Sequence, residues 1–201
     1  MRPSRKRSKA WLAAAWVVAL LALSACGGQG PKFNGIDLTG ADWGRDFRLQ
    51  DPDGRTRSLA DFRGRYVLLF FGFTHCPDVC PTALSRAAEM KRKLGADGAR
   101  VQVIFVTVDP ERDTAELMRN YTAAFDPGFL GLRGDAEATK RAAAEFKIFY
   151  EKVPTGSSYT INHSALTYVF DAAGRLRIGF RPTQGADEYV ADLRALMRAA
   201  S

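Results

Sequence analysis

Side chains that can ligate soft metals or react through sulfur are scarce in this sequence. Its 201 residues include three cysteines and two histidines. There is no internal repeat and no low-complexity segment, so repeat architectures are not indicated. The apolar run near the N-terminus covers thirteen positions, from Trp11 to Leu23, which is short for a membrane-spanning helix of about 20 residues. What the sequence does contain is concentrated in a few motifs.

The first 25 residues are typical of an export signal. They contain five basic residues and no acidic one ahead of the apolar run. The run ends at Leu23-Ser24-Ala25, directly before Cys26, which resembles a bacterial lipoprotein signal. In such a signal Cys26 is lipidated on its thiol and becomes the first residue of the mature protein, and its acyl chains give a stable anchor. An ordinary cleaved signal and an uncleaved anchor are the alternatives.

Most of the excess positive charge lies in this segment. The formal charge is +7, and removing the five N-terminal basic residues from the total of 29 leaves 24 against 22 acidic residues. The charge therefore does not indicate nucleic-acid binding. We expect a signal peptide over residues 1–25, a flexible tether over residues 26–42 and one domain over residues 43–201. The mature protein is expected to be a monomer, exported and lipid-anchored to the extracytoplasmic face of a bacterial membrane.

The pattern of the domain predicts an α/β fold. Two continuous apolar runs, Tyr66–Phe73 and Val101–Val108, are typical of strands buried on both faces. A helix between them implies a parallel βαβ unit, and a hairpin around Asp171–Gly174 adds antiparallel strands. The order is that of a thioredoxin-like fold with a mixed central sheet, flanking helices and an added N-terminal hairpin. That hairpin flanks Asp51–Gly54, and helices are predicted at Thr82–Leu94, Thr114–Phe125, Asp135–Phe146 and Ala186–Ala200.

Two cysteines lie at a strand-to-helix junction. Cys76 and Cys80 follow the first buried strand, and Pro81 marks the expected first turn of the next helix. A helix N-terminus carries unpaired N–H groups and the positive end of the helix dipole, which favour thiolate over thiol. Thiolates ligate metals and attack disulfides. Redox or soft-metal chemistry is therefore the first hypothesis.

The topology brings one histidine to the same edge of the sheet. Loops that leave parallel strands emerge at one edge, and an antiparallel strand beginning at Ala165 starts there as well. His163 is therefore expected to face Cys76 and Cys80, whereas His75, adjacent to Cys76, is poorly placed to share a metal with it. Two thiolates and an imidazole favour Cu(I), which accepts three ligands. Zinc with a fourth, water ligand is the alternative.

Disulfide exchange is the rival use of the same thiols. Three residues separate Cys76 and Cys80, whereas thioredoxin-type oxidoreductases have two. The residues Asn162-His163-Ser164 stand where those enzymes carry a substrate-docking proline. Both differences favour metal binding, and the two cysteines stay a candidate redox pair. A peroxidase is less favoured, because the threonine and arginine that activate a peroxidatic cysteine are not identifiable.

Three motifs carry a family resemblance. They are Phe-Thr-His-Cys-Pro-Asp-Val-Cys-Pro-Thr at residues 73–82, Val-Asp-Pro-Glu-Arg-Asp-Thr at residues 108–114, and His163-Ser164 ahead of the strand Thr167–Asp171. Together they resemble the Sco/SenC family of copper-binding proteins for cytochrome oxidase assembly. The resemblance covers most of residues 43–200 in order.

The resemblance implies a copper chaperone rather than an enzyme, with a thioredoxin-like fold and an extra hairpin. It implies one copper ion per chain, bound by Cys76, Cys80 and His163. The expected partners are cytochrome c oxidase subunit II, whose binuclear copper site the family helps to build, and a periplasmic copper donor protein. The alternative is a thiol-disulfide reductase that keeps the target cysteines of that subunit reduced. The position before the histidine is commonly Asp in the family and is Asn162 here.

Overall fold

The computed structural model describes residues 30–199, and its folded unit begins at Lys32. Cys26 and the predicted signal segment lie outside the described residues. Within the part of the chain that is described, no helix is long and apolar enough to cross a membrane.

Strands in the described residues form one large sheet and two small hairpins. They are β1 (Ile36–Asp37), β2 (Leu49–Gln50), β3 (Thr56–Arg57), β4 (Tyr66–Gly72), β5 (Val101–Thr107), β6 (Leu130–Leu132), β7 (Tyr150–Thr155), β8 (Ser158–His163), β9 (Thr167–Phe170) and β10 (Leu176–Phe180). The large sheet has the order β1-β10-β9-β4-β5-β6. Strand β5 is parallel to β4 and β6, whereas β9 is antiparallel to β4 and β10. The pairs β2–β3 and β7–β8 are separate antiparallel hairpins.

Helices cover both faces of the large sheet. They are α1 (Val79–Leu94), α2 (Ala115–Ala123), α3 (Ala136–Glu145) and α4 (Ala186–Ala199), with short 3-10 segments at Leu59–Phe62 and Gly95–Arg100. Every residue of β4 and β5 is buried, and successive side chains point to opposite faces. Leu68 and Phe70 pack in the core with α1, α2 and α4, whereas Leu69 and Phe71 pack in the core with α3. Two cores therefore hold the parallel strands in place from both sides.

The predicted fold class is confirmed, and most predicted elements are present with ends shifted by a few residues. The central strands, the four helices, the hairpin of β9 and β10 and the N-terminal hairpin of β2 and β3 all form. Strands β1 and β6 and the hairpin of β7 and β8 were not predicted from the sequence. Strands β1 and β6 are two and three residues long, too short for a periodicity signal. Strands β7 and β8 are mostly exposed or partly exposed, so they lack the apolar alternation that marks a strand.

The folded unit begins before residue 43, where the sequence analysis placed the start of the domain. The N–H groups of Asn34 and Gly35 each donate to the Asp192 carboxylate at 2.9 Å. Ile36 pairs with Gly179 of β10. Because Asp192 is fully buried, these residues are fastened to α4 and to the edge of the sheet. The later part of the predicted tether is thus part of the fold.

Candidate metal centre

The two thiols lie where residues 73–78, the thiol loop, join β4 to α1. Cys76 lies in this loop, and Cys80 lies in the first turn of the helix. The helix begins at Val79, two residues before Pro81, so the sequence analysis placed its start too late. The earlier start makes the Cys80 N–H one of the free donors of the first turn. That N–H donates to the Cys76 sulfur at 3.5 Å.

Gly72, the last residue of β4, allows Cys80 to lie against the strand. A Cβ atom at position 72 would be 2.6 Å from Sγ of Cys80 and 2.8 Å from Cε2 of Phe105. Both distances are far below van der Waals contact. Cys80 is 0% exposed and belongs to the core that contains α1. The absence of a side chain at position 72 therefore sets where this sulfur can sit.

His163 ends β8 and faces the thiols. Its Nδ1 lies 2.9 Å from the carbonyl oxygen of Ser164, and because a carbonyl oxygen only accepts, Nδ1 carries the proton. In the neutral ring the lone pair is then on Nε2, which lies 3.5 Å from Sγ of Cys80, whereas in the protonated ring both nitrogens are donors. A metal-ligating histidine commonly donates its other N–H to such a carbonyl. The rings of Phe70 and Phe73 meet the imidazole edge-on at centroid distances of 6.1 and 5.8 Å.

The three side chains form one compact group. The ligand atoms of Cys76, Cys80 and His163 all lie within 4.8 Å of one another. No other group of three or more cysteine, histidine or acidic side chains comes together in this way within residues 30–199. The structure thus brings His163 to the thiols, as the sheet topology predicts. His75 does not join the group: its side chain is 54% exposed and its Nδ1 lies 3.2 Å from Oγ1 of Thr74.

The two thiols have opposite pKa shifts. The hydrogen bond from the Cys80 thiol is the main cause that lowers the pKa of Cys76 to about 3, outweighing the opposing effect of burial. A hydrogen bond from the His163 ring adds to the lowering, followed by the backbone N–H groups of Asp78 and Cys80. The same thiol hydrogen bond, together with burial, raises the pKa of Cys80. Cys76 is therefore the thiolate of the pair, and Cys80 is the thiol that donates to it.

A buried carboxylate fastens the thiol loop to β5. Asp113 is 0% exposed and accepts hydrogen bonds from Thr74 N–H at 3.1 Å, Thr74 Oγ1 at 2.6 Å and Thr107 Oγ1 at 2.5 Å. Asp and Thr are both common cap residues at a helix start, and Asp113 and Thr114 stand side by side before the helix. Thr114 is the cap, since its Oγ1 accepts from Leu117 N–H at 3.2 Å. The role of Asp113 depends on a partner 39 residues away, which a local motif does not reveal.

Asn162, the departure from the family pattern, does not face the group formed by Cys76, Cys80 and His163, which we call the metal group. It is exposed and pairs with Glu151 across the β7–β8 hairpin. Neighbouring side chains in a strand point to opposite faces, and the next residue, His163, faces the thiols. A carboxylate in place of Asn162 would thus lie on the face of β8 away from the imidazole.

The fold and this group define a thioredoxin-like protein whose sheet edge carries two thiols and an imidazole. The SCO1/SenC family model matches residues 37–198. The chain therefore belongs to the SCO1/SenC family.

The sequences of known relatives align with most of the chain. The mitochondrial SCO2 homologue of Bos taurus is 37% identical over 194 residues, which is 94% of this chain and 72% of that protein. The matched segments span between 59% and 72% of the length of the mammalian relatives.

Two solved structures share both fold and sequence with the chain. The structure of Bradyrhizobium japonicum ScoI with copper bound has a TM-score of 0.69 and 40% identity, covering 75% of this chain and 97% of that one. The apo Sco1 protein of Thermus thermophilus has a TM-score of 0.75 and 44% identity, covering 84% and 99%. Members of the family are thus known with copper bound, and this chain has the Cys-Cys-His group.

Proposed function

We propose that the protein is an extracytoplasmic copper chaperone that binds one copper ion through Cys76, Cys80 and His163. The protein delivers this copper ion for assembly of the binuclear copper site of cytochrome c oxidase. The observation that carries the proposal is the meeting of two sulfurs and one imidazole nitrogen within 4.8 Å. These three residues come from a loop, a helix and a separate hairpin, so their meeting is a property of the fold.

The donor set favours Cu(I) over zinc. Two thiolates and an imidazole are soft to intermediate donors, and Cu(I) accepts three ligands, whereas structural zinc takes four. Within residues 30–199 no fourth cysteine, histidine or acidic ligand joins the group. The copper-bound ScoI of Bradyrhizobium japonicum, at 40% identity, supports the same choice.

The protonation of the site suits the uptake of a cation. Cys76 offers a thiolate because its pKa is lowered to about 3, and His163 offers the lone pair on Nε2. Cys80 has a raised pKa, so its proton leaves when the metal binds. Cys76 is partly exposed whereas Cys80 is buried. The copper ion is therefore reached from the side of Cys76, which is also the side from which an acceptor can take it.

Thiol-disulfide reduction is the second candidate, and the lowered pKa of Cys76 favours it. In this reaction the Cys76 thiolate attacks a disulfide of the target and forms a mixed disulfide. Cys80 then loses its proton and attacks Cys76, which releases the reduced target and leaves a Cys76–Cys80 disulfide. Two electrons pass from this protein to the target. Such an enzyme would keep the cysteines of oxidase subunit II reduced before copper arrives.

An anaerobic Cu(I) titration of the reduced protein tests the ligand set. Alanine at Cys76, Cys80 or His163 is expected to weaken binding strongly, because each removes one of three ligands. His75→Ala is the matched control, since its imidazole lies outside the group, and it should bind copper nearly as the parent does. Loss of binding in His75→Ala with retention in His163→Ala would show that the assignment is wrong.

Replacing His163 also separates the two candidate functions. His163→Ala keeps both thiols, so reductase activity toward a model disulfide should largely persist. The variant is expected not to restore cytochrome oxidase activity at limiting copper in a strain that lacks the native protein. Full rescue by His163→Ala, with failure of Cys76→Ser, would make thiol redox chemistry the essential function.

The location of the chaperone follows from the N-terminal segment. The lipoprotein-like pattern before Cys26 supports a location on the extracytoplasmic face of a bacterial membrane, with a lipid anchor. A periplasmic copper donor would load the site there, and oxidase subunit II would receive the ion. The protein is proposed to act as a monomer.

A further inference from the structure

His163 is carried by a hairpin that shares no backbone ladder with the central sheet. Among the strands that the structure describes, β7 and β8 pair only with each other. Ile161 is the one buried residue in these two strands. An isolated two-stranded hairpin is marginally stable in water. The position of His163 therefore depends on side chains that fasten the hairpin to the rest of the fold.

One fastening point is Tyr159 of β8, which is held by the loop after β5. The Tyr159 hydroxyl donates to the buried Asp109 carboxylate at 2.9 Å. The Tyr159 carbonyl oxygen accepts from Nη1 of Arg112 at 2.9 Å. Arg112 also donates from Nε to the Asp109 carboxylate, and its guanidinium carbon lies 3.7 Å from the centroid of the Tyr159 ring. These three residues form a closed set of contacts, which we call the hairpin clamp.

Arg112 extends from the hairpin clamp toward the metal group. Its guanidinium carbon lies 5.9 Å from the ring centroid of Phe73, and that ring meets the His163 imidazole at 5.8 Å. Nη2 of Arg112 is buried and has no hydrogen-bond partner among residues 30–199, which is unfavourable for a charged donor. The guanidinium is thus held in a packed position between two aromatic rings rather than left in solvent.

A second link between the hairpin and the same loop is weaker. Lys152 of β7 pairs with Glu111 at 2.7 Å, with both side chains largely exposed at 44% and 66%. Exposed ion pairs of this kind contribute little. The Lys152 ammonium also lies 4.7 Å from the centroid of the Tyr159 ring. The partly buried contacts of the hairpin clamp, which end on the buried Asp109 carboxylate, are therefore the stronger of these two polar restraints on the hairpin.

We propose that Arg112 is a positioning residue that sets the distance of His163 from the two thiols. Among the described residues it makes no hydrogen bond to Cys76, Cys80 or His163, and it acts on the hairpin through Tyr159. This inference rests on the proposed function, because its consequence is measured on bound copper. A looser hairpin leaves the two sulfurs where they are and removes the imidazole from the third position.

The first test is the Cu(I) affinity of Arg112→Lys in the full chain, purified in mild detergent. Lysine keeps the charge and loses the planar fork that contacts Asp109 and Tyr159 together. Competition with a chromophoric Cu(I) chelator is expected to show roughly tenfold weaker binding. Arg119→Lys is the matched control, since Arg119 pairs with Asp53 on the exposed surface at 2.7 Å. It should bind copper as the parent does.

A double-mutant cycle shows whether Arg112 acts through His163. In a His163→Ala background, Arg112→Lys is expected to cause no further loss of affinity, because the imidazole it positions is absent. The same fold-loss in both backgrounds would overturn the proposal. If His163→Ala alone leaves copper binding unchanged, the ligand assignment fails, which is a failure of the proposed function and not of the hairpin clamp.

Hydrogen exchange of the metal-free protein gives a readout that does not involve copper. Arg112→Lys should speed amide exchange in β7 and β8 and leave β4 and β5 unchanged, because only the hairpin is released. Unchanged protection of the hairpin would overturn the proposal even if the copper affinity falls. Should Arg112→Lys fail to fold, Tyr159→Phe serves in both measurements. It keeps the ring and the carbonyl oxygen and loses only the bond to Asp109, so the same changes are expected at smaller size.

Discussion

Gly72→Ala is the smallest substitution that acts directly on the geometry of the metal group. It adds one methyl group at the end of β4, and it changes no ligand and no charge. Gly72 is not one of the glycines with a positive φ angle in the described part of the chain. The effect of the substitution is therefore steric, and its size follows from the distances around the added atom.

The new Cβ atom would lie 2.6 Å from Sγ of Cys80 and 2.8 Å from Cε2 of Phe105. Heavy atoms in contact normally lie about 3.5–4.0 Å apart, so the sulfur or the strand has to move by roughly 1 Å. Overpacking of this kind costs about 1–3 kcal/mol of stability. For a domain of this size the melting temperature should fall by about 2–12 °C. Metal–ligand distances tolerate only about 0.2 Å, so Cu(I) binding should weaken as well.

Thermal unfolding followed by circular dichroism, together with Cu(I) competition, measures both effects. Gly185→Ala is the control, since a Cβ there would meet only Oε2 of Glu188, at 3.9 Å, and neither quantity should change. Removing the sulfur with Cys80→Ala relieves one of the two clashes. The double variant Gly72→Ala/Cys80→Ala should thus lose less stability than the sum of the single variants. A parent-like melting temperature and copper affinity in Gly72→Ala would refute this account of the sulfur position.

Three further predictions concern the cysteines. Because the pKa of Cys76 is lowered to about 3 and the thiolate is the reactive form, alkylation by iodoacetamide should stay level from about pH 8 to about pH 5 and label Cys76 alone; a rate that falls tenfold per pH unit, or equal labelling of Cys80, would contradict this. Oxidation to a Cys76–Cys80 disulfide should abolish Cu(I) binding, since no thiolate is left; full copper stoichiometry after verified disulfide formation argues against the assigned ligands. Cys26→Ser should block lipidation and leave a precursor or a soluble form, and an unchanged mass and membrane partition of the mature protein would exclude the anchor.

The sequence predicted where the metal group lies because the two cysteines stand in a recognisable local pattern. Cys76 and Cys80 lie between a continuous apolar run and a helix, and that pattern is visible within some twenty residues. His163 required one further step, the rule that loops of parallel strands share an edge with the start of an antiparallel neighbour. The step succeeded although the intervening hairpin was missed, because β9 begins at the predicted edge.

The supporting residues were not predictable, because their contacts join distant parts of the chain. Asp113 fastens the thiol loop through Thr74, a link that its place beside the helix cap Thr114 does not reveal. The contact of Arg112 with Tyr159 spans 47 residues and involves a hairpin without apolar alternation. The close approach at Gly72 depends on the exact path of the loop that brings Cys80 back to β4. No local pattern encodes these three features.

Because the β7–β8 hairpin is separate from the central sheet, the two thiols and the imidazole lie on different parts of the fold. These two parts can change in sequence to different extents. Cys80 belongs to the main core and Cys76 packs against it, so changes around Cys80 also change the stability of the whole domain. The imidazole lies on the β7–β8 hairpin. Removing or exchanging this hairpin would leave every strand of the central sheet paired with its neighbours. A redesigned hairpin grafted between Phe149 and Ser164, whose backbones pair at its base, would replace the His163 imidazole and leave both thiols in place. Related proteins can therefore keep the same thiols and the same fold and differ in the sequence of this hairpin. Such differences would change how tightly and how reversibly they hold a metal.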